Sequence, residues 1–445
     1  MTRSANSRTT RWSASVVASA LMVTAAAASA QQPAAMASPE STPVLLGPTR
    51  EIKLSENTWF RFGFQVQAWA KAAQDRIVQP DGSDGGYAFD FFCRRCRLFA
   101  TGSVVKDVTF NLLMEAGNLG KADPVTGVKS FAAPSVLDAY AQVKFVNAFS
   151  FSAGSILLPL TRNGMQPTTT YLSIDNAFID ITPILQGNSN VIRDLGVQAN
   201  GFFLDDHLEY RLGLFQGSRS PSITTGAPAV TTQTASHNPP RVVAMLAYNL
   251  WDTEKGYVNG GHYYGAKKVL GVMANFDYQV FRTLDPPAAG STKDAYMGVS
   301  AATFINYPLS GTADPKKGGD ELVGLLQFGY YDGGGRSPLD PTSPGTYSNV
   351  LRQLNMLAEA AYYNRDLKFS VFGKLEARQI AGYYSDAVKG SSNIRWAAVG
   401  LKYYVAPANL MNFGIQYERV QFPDAPAGAQ NGTHNVTFQT QLLLY

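Results

Sequence analysis

The charged side chains of this chain fall into a pattern of spacing. Arg61, Arg95, Arg97, Lys144, Arg211, Lys374, Arg378 and Lys402 each stand on the polar parity of an alternating segment, as do Glu115, Asp138, Glu209, Glu359 and Glu376. Alternate residues of a strand share a face, so these groups would line one side of a sheet whose other side is apolar. Neighbouring segments offer opposite signs, with Arg95 and Arg97 beside Glu115, and Lys374 and Arg378 beside Glu359. Such pairs can brace a hydrated wall, or form a basic track that strips part of an anion's hydration and passes it on.

Covalent chemistry has little to work with. Acyl transfer needs a nucleophile, a base and an orienting carboxylate, and no Gly-x-Ser-x-Gly elbow is present. His207, His237, His262 and His434 lie in connections or at a strand start, where a solvated or turn role is expected rather than that of a base. The two cysteines, Cys93 and Cys96, lack a second pair at zinc-ligand spacing. Residues three apart on a strand point to opposite faces, which disfavours a disulfide and leaves them as structural thiols. Neither an enzyme nor a cofactor or metal site is expected.

The elements that must position these charges begin after an export leader. Arg3, Arg8 and Arg11 precede an apolar stretch from about Val16 to Ala28 and the small-residue site Ala28-Ser29-Ala30, the three regions of a secretory signal over 1–30. The formal charge of +4 (37 basic against 33 acidic residues) falls to +1 without those three arginines, which excludes the global basic field that nucleic-acid binding uses. Residues 31–56, rich in Ala, Pro, Ser and Gln, read as a flexible periplasmic lead-in. No later apolar run is long enough for a membrane-spanning helix.

From residue 57 to 445 the sequence keeps one grammar. Phe60, Phe62, Phe64, Val66, Ala68 and Ala70 alternate with Arg61, Gly63, Gln65 and Gln67, giving an oily and a wet side. About sixteen such segments follow, from 58–71 to 435–445, each near the length that crosses a bilayer at a tilt. Hydrophobic residues make up 45% of the chain, yet mean hydropathy is only -0.10, as expected where alternate positions alone face lipid. Short turns at Asn147-Ala148, 204–206, 364–366 and 406–408 separate long polar connections near 72–89, 118–134, 217–240, 332–350, 380–393 and 422–434. Short periplasmic turns and long outer loops are the habit of outer-membrane barrels. Two connections, 252–267 and 306–320, break the alternation by being long where short turns are due, and the sequence supplies no reason. The last strand, HNVTFQTQLLLY, alternates up to the aromatic Tyr445. The fold class is therefore all-β, a closed antiparallel transmembrane barrel of about 16 strands.

The longest connection, 159–190, mixes Arg162, Asp175 and Asp180 with an apolar stripe of Tyr171, Leu172, Phe178, Ile179, Ile184 and Leu185. A solvated outer loop has no need of that stripe. Folded into the lumen, it could rest on the wall while its polar atoms narrow the pore. Arg94 falls on the lipid parity and is expected near an interface, because an arginine at the bilayer midplane costs about 2–4 kcal/mol.

Several stretches resemble the phosphate-selective porin O and P family. They are CRRCRLFATGSVVKDVTFNLLMEAG (93–117), SVLDAYAQVKF (135–145), RDLGVQANGFFLDDHLEYRLGLFQG (193–217) and the final VTFQTQLLLY. The resemblance implies a sixteen-stranded homotrimeric outer-membrane porin with an inward-folded third loop and an arginine track, in which Arg95 and Arg97 would be wall arginines. The segment 159–190 holds one arginine and no lysine, which argues against a strongly basic, phosphate-specific constriction. The expected function is passive diffusion of small hydrophilic solutes across the outer membrane with a mild preference for anions. The rivals are an outer-membrane lipid hydrolase and a non-conducting, ligand-binding barrel.

Overall fold

The computed structural model describes residues 51–75, 86–123, 126–131, 133–181, 192–218, 238–280, 295–314, 317–333, 350–381, 389–390, 392–406, 410–425 and 430–444. The leader 1–30, most of the lead-in 31–56, His237, residues 182–190 of the third long connection, the tips of other long connections and Tyr445 lie outside them.

Seventeen strands follow one another: β1 (Glu51–Lys53), β2 (Trp59–Gln74), β3 (Tyr87–Val105), β4 (Val108–Leu119), β5 (Ser135–Val146), β6 (Phe149–Leu157), β7 (Arg193–Phe203), β8 (Leu208–Phe215), β9 (Arg241–Asn249), β10 (Val269–Val280), β11 (Ala295–Pro308), β12 (Glu321–Asp332), β13 (Gln353–Asn364), β14 (Phe369–Ile380), β15 (Ile394–Ala406), β16 (Met411–Gln421) and β17 (Gly432–Leu444). From β2 to β17 each strand pairs antiparallel with the next, and β17 pairs back onto β2, closing a 16-strand barrel. Closure leaves no sheet edge with unpaired backbone groups, the condition for a sheet in hydrocarbon. β1 lies within the segment expected to be an unpatterned lead-in. It occupies the place β17 leaves vacant: β17 ends with Leu444 opposite Phe64, and Glu51 to Lys53 pair with Arg61 to Trp59. Arg61 secures it by donating to the Glu51 carboxylate from Nε (3.1 Å) and Nη2 (2.7 Å).

The outward parity is apolar and exposed around the ring, for example Phe62, Leu98, Leu195, Leu212, Leu246, Leu326, Met356, Leu401 and Phe438. A continuous belt of this kind suits lipid and not water. The parity rule fails at β-bulges, and the one in β3 bears on the charges. Gln67 pairs with Arg95 and Ala68 with Cys93, so Arg94 is an extra residue in a β-bulge. The bulge turns Arg94 inward beside Arg95, correcting the expected interfacial placement. It also puts Cys93 and Cys96, opposite Ala68 and Val66, on the same outer face, and both are free thiols. The opposite-faces argument assumed a regular strand.

The interior is not simply hydrated. The connection between β6 and β7 enters the lumen and crosses it. Residues on ten strands bond to it: Gln65 of β2 and Arg97 of β3 to Thr168, Asn275 of β10 to Pro159, Ser300 of β11 to Leu160, Gln327 of β12 to Asp180, Asn355 of β13 to Ile179, Glu376 of β14 to Ile179, Lys402 of β15 to Tyr171, Gln416 of β16 to Ile174 and Gln441 of β17 to Thr169. Irregular backbone carries unpaired N–H and C=O groups, and the polar lumen satisfies them. Leu172, Ile174, Ala177 and Ile179 of this loop pack with Phe304, Val323, Leu325, Leu357 and Phe372 of the wall into a dry core. The apolar stripe read in the sequence is thus used against the wall, with Ile184 and Leu185 outside the described residues.

The two overlong connections are explained together. The β9–β10 connection, 250–268, also folds inward, and Tyr263, Tyr264 and Ala266 join the same core. The β11–β12 connection, 309–320, backs onto it: Gly319 N donates to Tyr264 O (2.8 Å) and Asp314 N to Gly265 O (3.1 Å). Gly265 has φ +73°, and a Cβ there would lie 2.3 Å from Gly319 N. Gly265→Ala is expected to destabilise the barrel by about 1–3 kcal/mol, measured by heat or urea unfolding, because it meets both the backbone strain and the clash.

Candidate functional site

Among the described residues, two cavities lie beside the inward connections along the β3–β8 wall. The larger, about 640 Å³, is bordered by Arg94, Arg95 and Arg97 of β3, Asn111, Leu113 and Glu115 of β4, Leu137 and Asp138 of β5, Arg193 of β7, and Gln166, Thr168, Tyr171 and Asn176 of the loop. The smaller, about 160 Å³, lies toward the short-turn end among Gln142, Lys144, Asn147, Ser152, Gln198, Asn200 and Arg211.

The larger cavity is electrically structured. Arg97, directly opposite Glu115 on β4, is ion-paired with it and donates from Nη1 to Thr168 Oγ1 at 2.8 Å. Arg94 and Arg95 both bond to Asp175 of the loop, Arg94 from Nε at 3.1 Å, and Arg95 also donates to Gln67 Oε1 at 2.8 Å. Arg193 donates to Asp138 at 3.0 Å. Burial alone would raise the Asp175 carboxyl, but the Arg94 and Arg95 guanidiniums outweigh it and hold it below the usual carboxylate range. Four guanidiniums therefore face three carboxylates, leaving a local excess of one positive charge in a wall where charges alternate.

Other anticipated site residues serve the loop instead. Glu359 accepts from Asn163 Nδ2 (3.0 Å) and Ser173 Oγ (2.7 Å). Lys402 donates to the carbonyls of Tyr171 (2.5 Å) and Ser173 (2.7 Å), and Lys374 pairs with Glu376 at 2.9 Å. All three lie buried beneath the loop and border neither cavity. Arg378 donates to Ser392 O (2.6 Å) and stacks over Phe178, while Arg61 is tied to β1 as described. Arg162, one of the largest fully buried side chains, bonds to Glu254 of the inward 250–268 connection. Burial, with Glu376 and Glu359 nearby, pushes the Asp180 carboxyl up to about 8, although Gln327 donates to it at 2.7 Å.

Sequence reasoning placed Asp138 in the lumen but missed Arg94, Arg193 and His262. Arg94 was hidden by the bulge, and Asp138 finds its partner in Arg193, a residue at the very start of a strand. His262 is buried, not solvated, with Nδ1 2.8 Å from Glu321 Oε1, because its connection turns inward. The available signal was length plus composition: 252–267 spends sixteen residues, three of them tyrosines, where a short turn would do.

Against solved structures the arrangement is familiar. OmpF from Salmonella typhi aligns over 89% of this chain and all of its own, at 12% identity and a TM-score of 0.53. OprB from Pseudomonas putida aligns over 86% and 94% at 10% identity (TM-score 0.54), and an anion-selective porin from Comamonas acidovorans over 87% and 100% at 11% (TM-score 0.51). The fold is that of the outer-membrane porins. No protein-family model and no curated protein matches the sequence.

Proposed function

We propose that this protein is an outer-membrane porin that lets small hydrophilic solutes diffuse down their gradients, with a mild preference for anions. The observation that carries the reading is the cavity bounded by Arg94, Arg95, Arg97 and Arg193 inside a closed barrel with an apolar exterior. Passage needs no energy source and no covalent step. The net positive excess supports the anion preference, and the neutralising carboxylates keep it mild. A mild, phosphate-like character of that anion preference belongs to the same proposal, as does assembly into homotrimers, which the sequence resemblance implies; cross-linking of the folded protein in detergent tests the second. A hydrolase is not favoured, since the one buried histidine in a described connection is engaged with Glu321 rather than with a nucleophile.

Purified, folded protein in planar bilayers is expected to give ion-conducting steps, and their absence would sink the reading. In a salt gradient at low ionic strength, Arg97→Ala is expected to lower the anion-to-cation permeability ratio roughly threefold or more, as loss of one unit charge beside a wet path predicts. A reversal potential identical to wild type would refute the part assigned to the cavity arginines.

A further inference from the structure

The two cavities share one lining residue among those described, Tyr257. It does not belong to the wall or to the third long connection, but to the 250–268 connection that enters from the short-turn end. We propose that Tyr257 forms the neck of an off-axis duct along the β3–β8 wall and sets the largest solute that can pass. The proposal rests on the porin reading above and adds where the limit lies and which residue imposes it.

Several contacts fix the ring across the gap between the cavities. The Tyr257 hydroxyl accepts from Leu157 N on β6 and donates to Asp138 Oδ1 on β5 at 3.3 Å. Its ring lies 4.7 Å from that of Tyr140 on β5. From the other side, Arg211 of β8 donates to the Tyr257 carbonyl and to the Gly256 carbonyl, each at 2.9 Å. The backbone of the tip is therefore bolted to β8 while the side chain reaches β5 and β6. Beyond the neck the connection is closed off by the loop: Asn259 N donates to Met165 O (3.1 Å) and Gly261 N to Thr170 Oγ1 (3.0 Å). Gly261 permits that approach, since a Cβ there would sit 2.1 Å from Thr170 O. The apolar core fills the lumen beside the β10–β15 wall, and along the β3–β8 wall the Tyr257 ring stands where the two cavities meet.

A rigid aromatic ring held at both ends limits size, and the residue links two ion pairs, its hydroxyl meeting Asp138 of the Arg193–Asp138 pair and its carbonyl Arg211 of the Arg211–Glu209 pair. A solute leaving the larger cavity for the smaller thus passes from one ion pair to the next past a single phenol. The class favoured is small and hydrated, and a branched or multi-ring solute is excluded by the ring rather than by charge.

Single-channel conductance and liposome swelling with a graded series of neutral sugars test the assignment. Tyr257→Ala is expected to raise conductance at least about twofold and to admit sugars that wild type excludes, whereas Tyr257→Phe keeps the wild-type size limit. If Tyr257→Ala does not fold, Tyr257→Leu is read in its place and must fall on the same side of wild type. A conducting wild type whose Ala or Leu variant keeps the same conductance and sugar cutoff overturns the neck. A wild type that conducts nothing overturns the porin reading itself, so the two failures are distinct.

Discussion

Arg162→Ala is expected to cost about 3–5 kcal/mol of stability, the penalty for leaving one member of a buried ion pair without its partner. Arg162 Nη1 and Nη2 donate to Glu254 at 3.0 and 2.8 Å, and Nη2 also donates to the Gly260 carbonyl at 2.8 Å. Its guanidinium carbon lies 4.1 Å from the centre of the Phe304 ring on β11. One side chain thus joins the connection that enters from one end of the barrel to the connection that enters from the other and pins both to the wall. Truncation would leave the Glu254 carboxylate buried with the Tyr263 hydroxyl as its remaining hydrogen-bond donor among the described residues. The same variant should give a noisier open-channel current, because two packed connections lose their common fastener. Urea or thermal unfolding of the folded barrel reads the first effect and bilayer recording the second. Arg162→Met combined with Glu254→Gln should recover part of the loss, since Met can fill the space over Phe304 and no charge is stranded; the Gly260 carbonyl still lacks its donor. A stability within about 0.5 kcal/mol of wild type for Arg162→Ala would show that the pair contributes little.

The barrel was legible in the sequence because lipid enforces a strict rule on alternate residues. An outward Leu212 or Phe438 cannot be polar without cost, so period two persists and fixes strand number to one short addition, β1. The lumen obeys no comparable rule. Val243, Met245, Phe304, Leu325 and Phe372 point inward yet are apolar, since loops and not water lie over them. Their strands look greasy on both faces, and nothing local reveals what covers the inner one. Charge placement was readable by parity, as with Arg95, Arg97 and Glu115, but destination was not. Glu359 and Lys402 share the inward parity of Arg97 but bond the loop instead, Glu359 its side chains and Lys402 its carbonyls, a distinction that depends on where a segment two hundred residues away in sequence comes to rest. Bulges are the other blind spot: one inserted residue at Arg94 moves a guanidinium across the wall, and no residue type at that position announces it.

Asp175→Asn is expected to raise the anion-to-cation permeability ratio roughly three- to tenfold at low salt. Asp175 is where the loop neutralises the β3 wall, taking bonds from both Arg94 and Arg95. Removing its charge leaves four guanidiniums against two carboxylates, so the local excess doubles from one to two. A unit charge about 6 Å from a passing ion through water is worth about 0.7 kcal/mol, a factor of roughly three for each ion sign. The Asn amide can still occupy the space between the two guanidiniums, and Arg95 keeps its bond to Gln67, so the wall is expected to hold its shape. Screening supplies the internal control. At 0.1 M salt, where the Debye length is about 10 Å, the shift should be plain in the reversal potential, and at 1 M, where it is about 3 Å, most of it should vanish. A ratio that does not move at 0.1 M would mean that permeating ions avoid the Arg94–Arg95–Asp175 cluster, and the duct would have to run elsewhere in the barrel. A shift equally large at both salt concentrations would instead point to a rearranged loop, because pure electrostatics cannot survive that screening.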